Sequence, residues 1–159
     1  MKTHHRACME SPIGRIELTA SDTHLLRLHL LPPHLGEAVS SPNPVLREAI
    51  RQLEEYFAGQ RRCFHLPLQQ EGTPFRQKVW AELQKIPYGR RISYKELAKR
   101  TGNIRAWRAV GSANGKNRLF IVIPCHRVVL ADGKLGGFAC GRQVKRFLLE
   151  MEEKYAAGE

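Results

Sequence analysis

The positive charge of this 159-residue chain lies on one side of residue 72, and that separation constrains the fold more than any other feature. Residues 1–72 carry 8 Lys and Arg against 8 Asp and Glu, whereas residues 73–159 carry 18 against 7 and hold the whole net charge of +11. Between Arg76 and Arg146 there are 17 basic residues and only 3 acidic ones, Glu82, Glu96 and Asp132. Such asymmetry predicts two units, a balanced one over 1–72 and a basic one over 73–159, joined at the polar link Gln69-Gln70-Glu71-Gly72. A 42% hydrophobic content is enough for a core. The basic half calls for a polyanionic partner, and the phosphates of a nucleic acid reward such a field by releasing counterions.

The first unit reads as a small α+β domain. Arg15–Thr19 and Leu26–Leu30 alternate apolar and polar residues with the period of half-buried strands, and Pro12 and Gly14 mark the turn before the first. Pro32, Pro33, Gly36, Pro42 and Pro44 predict a loop, after which Leu46, Ile50, Leu53 and Phe57 have helical spacing up to Gly59. An extended piece is expected around Phe64-His65-Leu66.

The second unit is mostly helical. Thr73-Pro74 supplies an N-cap and a first-turn proline, with Phe75, Val79, Trp80, Leu83 and Ile86 expected along one face until Pro87-Tyr88-Gly89. Ser93 and Glu96 have capping-box spacing and open a short helix that ends near Gly102. A second short helix from Arg105 to Ala113 makes a helix-turn-helix, with Arg105 and Arg108 placed to meet DNA. The turn Ala131–Lys134 and the glycine-rich Gly136–Gly141 precede a last helix from Arg142, expected to pack through Val144, Phe147, Leu148, Met151 and Tyr155.

Between these elements lies Ile121-Val122-Ile123-Pro124-Cys125-His126-Arg127-Val128-Val129, where apolar stretches flank a thiol, an imidazole and a guanidinium. A free thiol has a pKa of about 8.5, and neighbouring cations are expected to pull Cys125 toward the nucleophilic thiolate. The other fate of such a cysteine is that of a small buried hydrophobe.

Thr73-Pro74-Phe75, Val79-Trp80, Ile86–Gly89, Ser93-Tyr94, Arg108–Gly111, Asn117, Pro124–Val128, Lys145, Leu148-Leu149 and Glu152 together resemble the O6-alkylguanine-DNA alkyltransferases. The likeness is close from Thr73 through Glu152 and only an outline before it, at Ser11–Gly14 and Gln52–Gly59. It implies an RNase H-like N-terminal domain and a winged helix-turn-helix-like C-terminal domain carrying the reactive cysteine. Cys125 would take an alkyl group from guanine O6, with O4-alkylthymine as a second candidate substrate, in one irreversible displacement. His126 would receive the thiol proton through a water, with Glu152 holding the imidazole. Arg108 would fill the stack left by the flipped base, Tyr94 would crowd the target and hydrogen-bond it, and Asn117 would brace the turn before the cysteine. Ser93, Arg105, Ala109 and Arg127 complete the residues expected at DNA, and Pro124, Val128, Phe138 and Ala139 those expected around the base.

Three positions depart from the family pattern: Arg118 and Ile104 where prolines are frequent, and Phe138 where tyrosine is usual. Cys140 adds a side chain to the glycine-rich loop, and weaker acceptance of O6-benzyl than of O6-methyl groups is expected. A damage-binding relative without alkyl transfer would lack the cysteine, and an electrophile-sensing helix-turn-helix regulator would need a dimerisation domain. The expected partner is double-stranded DNA containing O6-alkylguanine, bound by a monomer, with cooperative binding along DNA left open. No cofactor or metal is expected, since Cys8, Cys63 and the nearby His4, His5, His24, His29 and His65 match no ligand spacing. With no apolar run near the roughly 18 residues of a membrane span, a cytoplasmic, or in a eukaryote nuclear, protein is expected.

Overall fold

The computed structural model describes residues 4–32 and 43–158, and the loop expected at Pro33, Gly36 and Pro42 lies outside them. The chain divides into two compact units, Met1–Gln70 and Glu71–Glu159.

In the first unit β1 (His5–Ser11), β2 (Gly14–Ala20) and β3 (Leu25–Leu30) form an antiparallel sheet in that order. Ser11 pairs with Gly14 across the first hairpin, where Gly14 takes φ +121°, a conformation open chiefly to glycine. Period-2 burial of Ile16, Leu18 and Ala20 turns one face of β2 toward α1 (Pro44–Phe57). Asn43 caps that helix by accepting from the Leu46 amide at 2.9 Å, and Leu46, Ala49, Leu53 and Tyr56 are its fully buried apolar residues. The extended piece at Phe64–Leu66 is not a strand. Its backbone is held by Gln52, whose amide donates to the His65 carbonyl at 3.0 Å and accepts from the His65 amide at 2.9 Å. The sequence reading also passed over β1, whose alternating residues Ala7 and Met9 are buried but weakly apolar as a pattern.

In the second unit α2 (Pro74–Leu83) begins where Thr73 accepts from the Arg76 amide at 3.2 Å, with Pro74 at the first position. Val79, Trp80 and Leu83 are buried, and Trp80 Nε1 donates to the Ala113 carbonyl at 2.9 Å; Phe75, expected on that face, is exposed. Next come β4 (Ile92–Ser93), α3 (Tyr94–Arg100), a 3-10 turn at Ile104–Ala106 and α4 (Trp107–Gly115). Thus α3 and α4 are the helix-turn-helix. A second 3-10 turn (Cys125–Arg127) leads into β5 (Val128–Val129), which pairs in parallel with β4, and α5 (Arg142–Ala157) closes the unit. Among the described residues no helix is long and apolar enough to cross a membrane.

Candidate active site

The run Leu119–Pro124 is apolar but not a strand. It coils tightly, with Ile123 donating to Leu119 at 2.8 Å, Val122 to Phe120 at 2.9 Å and Cys125 to Ile123 at 2.8 Å. Ile121 takes φ +73°, which a β-branched residue adopts only under constraint. Asn117 supplies that constraint: its Nδ2 donates to the Ile123 carbonyl at 2.8 Å and its Oδ1 accepts from the Leu119 amide at 3.0 Å. The coil delivers Cys125 to the interior, 4% exposed, with its carbonyl accepting from Asn114 Nδ2 at 3.3 Å.

Burial also decides the thiol's acidity. The expectation of a thiol pulled down by neighbouring cations is corrected, because loss of solvent pushes Cys125 up to about 12. A hydrogen bond from the Asn117 side chain and the charge of Lys145 oppose the rise without cancelling it. At neutral pH the sulfur therefore keeps its proton until something removes it.

His126 and Glu152, fully buried, face one another with Nε2 2.7 Å from Oε2. Burial would raise the Glu152 carboxyl, but hydrogen bonds and charge from His126 and Arg127 more than offset it and hold it below the ordinary carboxylate range. Burial lowers His126 despite the carboxylate beside it, so the imidazole is neutral. A neutral ring beside an ionised carboxylate carries its proton on Nε2, which leaves the Nδ1 lone pair free to accept; Nδ1 has no partner among the described residues.

Arg127, expected at DNA, is corrected. Its Nε and Nη2 donate to Glu152 Oε1 and Oε2 at 2.8 and 3.0 Å, and its Nη1 to the Ile86 carbonyl at 2.7 Å. With 5% of its surface exposed, it is an internal clamp on the carboxylate.

The sequence reading left Lys145 without a role. Its side chain is fully buried, Nζ donates to the Gly137 carbonyl at 3.3 Å, and it lies 5.7 Å from the Tyr94 ring centroid. Burial lowers its ammonium to about 8 while Cys125 partly restores it. The signal was present in spacing: Lys145, Leu148, Leu149 and Glu152 stand at i, i+3, i+4 and i+7, so two charged residues occupy core positions of α5.

Tyr94, at the start of α3, is half-buried beside Cys125, and burial raises its hydroxyl. Gly136 lies against its ring at φ +73°, where an added Cβ would come within 3.3 Å. Ser93 caps α3 by accepting from the Glu96 amide at 3.0 Å. Arg105, Arg108 and Ala109 are all exposed on and just before α4. An open cleft of about 360 Å³ runs among Tyr94, Lys95, Trp107, Arg108, Gly111, Leu130, Ala131 and Gly137. Pro124 and Val128 are buried beside Cys125 in sequence, Phe138 is half-buried and Ala139 exposed; none of the four borders that cleft.

A buried thiol followed by an imidazole–carboxylate pair, joined to an exposed basic helix-turn-helix, defines a nucleic-acid-directed thiol transferase. The family is specific: residues 5–70 match the ribonuclease-like domain and residues 74–154 the DNA-binding domain of 6-O-methylguanine DNA methyltransferase, and the chain belongs to that family. It is 46% identical over 149 residues to a methylated-DNA–protein-cysteine methyltransferase of Methanosarcina barkeri, covering 91% of this chain and 94% of that protein. The fold matches the crystal structure of Mycobacterium tuberculosis O6-methylguanine methyltransferase with TM-score 0.88 and 40% identity over 99% of this chain and 97% of the other. It also matches Mycobacterium tuberculosis OGT in complex with DNA, with TM-score 0.86 and 40% identity over 95% and 94% of the two chains.

Proposed function

We propose that the protein repairs DNA by moving a methyl or other alkyl group from guanine O6 onto Cys125, once per molecule. The observation that carries this reading is the buried His126–Glu152 pair immediately after the thiol, 2.7 Å apart. Cys125 is too acid-weak to ionise alone at neutral pH, so attack requires a base, and the Nδ1 lone pair of the neutral His126 is the base at hand, reached through a water. Glu152 fixes the tautomer and stabilises the imidazolium, and Arg127 keeps Glu152 ionised.

The sulfur then attacks the alkyl carbon in line. The S–C bond forms as the C–O6 bond breaks, and the thiol proton returns by way of His126 to the departing guanine, which leaves neutral. Tyr94 hydrogen-bonds the base as negative charge develops on it, before that proton arrives. Lys145 places an ammonium near both sulfur and phenol and favours the thiolate as it forms. The thioether product has no leaving group that water can displace, so the molecule is spent.

A sulfur this deeply buried cannot reach a base inside a duplex, which argues for eversion of the target. Arg108 on the exposed face of α4 is the side chain placed to enter the vacated stack, with Arg105, Ser93 and Ala109 along the same surface. Pro124, Val128, Phe138 and Ala139 enclose the base, and Asn117 keeps the coil that presents the sulfur. One protein molecule acts on one lesion.

The test is to incubate the protein with a duplex containing O6-methylguanine and measure its intact mass. One added methyl on the peptide bearing Cys125, absent in Cys125→Ser, is expected; an unchanged mass overturns the reading.

A further inference from the structure

The segment Arg105-Ala106-Trp107-Arg108 puts the largest apolar side chain at the solvent-facing start of α4. Trp107 is 41% exposed, whereas the other tryptophan, Trp80, is 3% exposed and hydrogen-bonded inside the same unit. The Trp107 ring stands beside the exposed Arg105 and Arg108. Arg108 covers it here, with its guanidinium 5.1 Å from the ring centroid.

Trp107 lines the cleft together with Tyr94. Gly111, one turn further along α4, and Gly137 line the cleft without side chains, and Ala131 lines it with a small one. Lys95 and Arg108 add cations at the border. Two aromatic rings, two glycines and two cations around one cleft suit a flat ring carrying a phosphate, which is a nucleotide. Arg108 cannot both enter the DNA stack and cover Trp107, so its departure bares the ring just when a base leaves the duplex.

We infer that Trp107 is a stacking platform for the everted nucleotide, exchanging Arg108 for the base at the mouth of the cleft before the base passes Tyr94 to Cys125. This assignment rests on the alkyl-transfer reading above and adds to it a residue that selects for eversion. One stacked base lost should slow capture from duplex DNA by about 5- to 150-fold.

Single-turnover methyl transfer from duplex O6-methylguanine is to be measured for the parent protein, Trp107→Ala and Trp107→Phe, alongside alkylation of Cys125 by iodoacetamide. The expected result is a fall of about tenfold in the ratio of the two rates for Trp107→Ala, with most of it restored in Trp107→Phe. Tryptophan emission of Cys125→Ser should also be quenched by the damaged duplex, and not in the double variant with Trp107→Phe. A ratio within twofold of the parent for Trp107→Ala, or quenching that survives without Trp107, overturns the assignment while leaving alkyl transfer intact. A parent protein that takes no methyl from the duplex overturns the functional reading, and this assignment with it.

Discussion

At the scale of single residues, the site is a set of buried charges that only make sense together. Glu152 accepts from His126 and twice from Arg127, so removing its charge leaves a buried guanidinium without a counterion. Glu152→Gln is expected to lose about 3–5 kcal/mol of stability in urea unfolding at neutral pH. The linkage has a definite sign. A carboxyl held below its unfolded value, near 4.3, contributes stability that is present above that pH and lost as pH falls toward its folded value. The parent should therefore weaken progressively below about pH 4, and Glu152→Gln should show a shallower acid limb; an equal acid limb in both would contradict the network. Cys125 and His126 stand out in the sequence as adjacent reactive groups, whereas Glu152 is implied only by the family resemblance. The inward turn of Arg127 was not legible, because a basic residue beside a DNA-facing motif reads as a surface contact until its counterion, 25 residues away, is known to be buried with it.

Elements whose ends carry their own chemistry were legible. Thr73-Pro74 starts α2 and Ser93 with Glu96 starts α3 because each side chain satisfies a helix amide locally. Two segments resisted for the opposite reason. Leu119–Ile123 has strand-like composition, but the Asn117 side chain satisfies its backbone as a coil; the extended piece expected at Phe64–Leu66 is held by the Gln52 side chain and not by a strand partner. Helix α5 buries Leu148 and Met151 as expected, but not the rest of the expected face. Val144, Phe147 and Tyr155 lie partly in solvent, while Glu152 goes inside paired with His126 and Arg127 and Lys145 goes inside on a hydrogen bond to the Gly137 carbonyl, which hydrophobic counting does not foresee. Lys145 carries the cost of that choice. Its ammonium, lowered by burial to about 8 from an ordinary 10.5, is penalised in full below pH 8, and the penalty is relieved as pH rises from there toward 10.5. Lys145→Met should therefore raise stability at pH 7 by about 1–3 kcal/mol in urea unfolding and slow methyl transfer about tenfold. A variant both less stable and fully active would contradict the placement of that charge.

The whole molecule separates its charge as it separates its folds. The unit that holds the thiol and the helix-turn-helix, Glu71–Glu159, also holds +10 of the net charge of +11, so affinity for any duplex should be dominated by phosphates. With about four to six phosphates neutralised, affinity for undamaged duplex should fall roughly a hundredfold or more between 50 and 200 mM salt, measured by fluorescence anisotropy. A nearly flat salt dependence would leave the basic face without a nucleic-acid role. The claim on which the account turns is that one sulfur is both nucleophile and final resting place of the alkyl group. The direct measurement is the number of O6-methylguanines restored per protein molecule when damaged duplex is in large excess. The expected count rises to one and stays there however long the incubation; a count that continues upward would show that Cys125 gives the methyl away and would overturn single-use transfer.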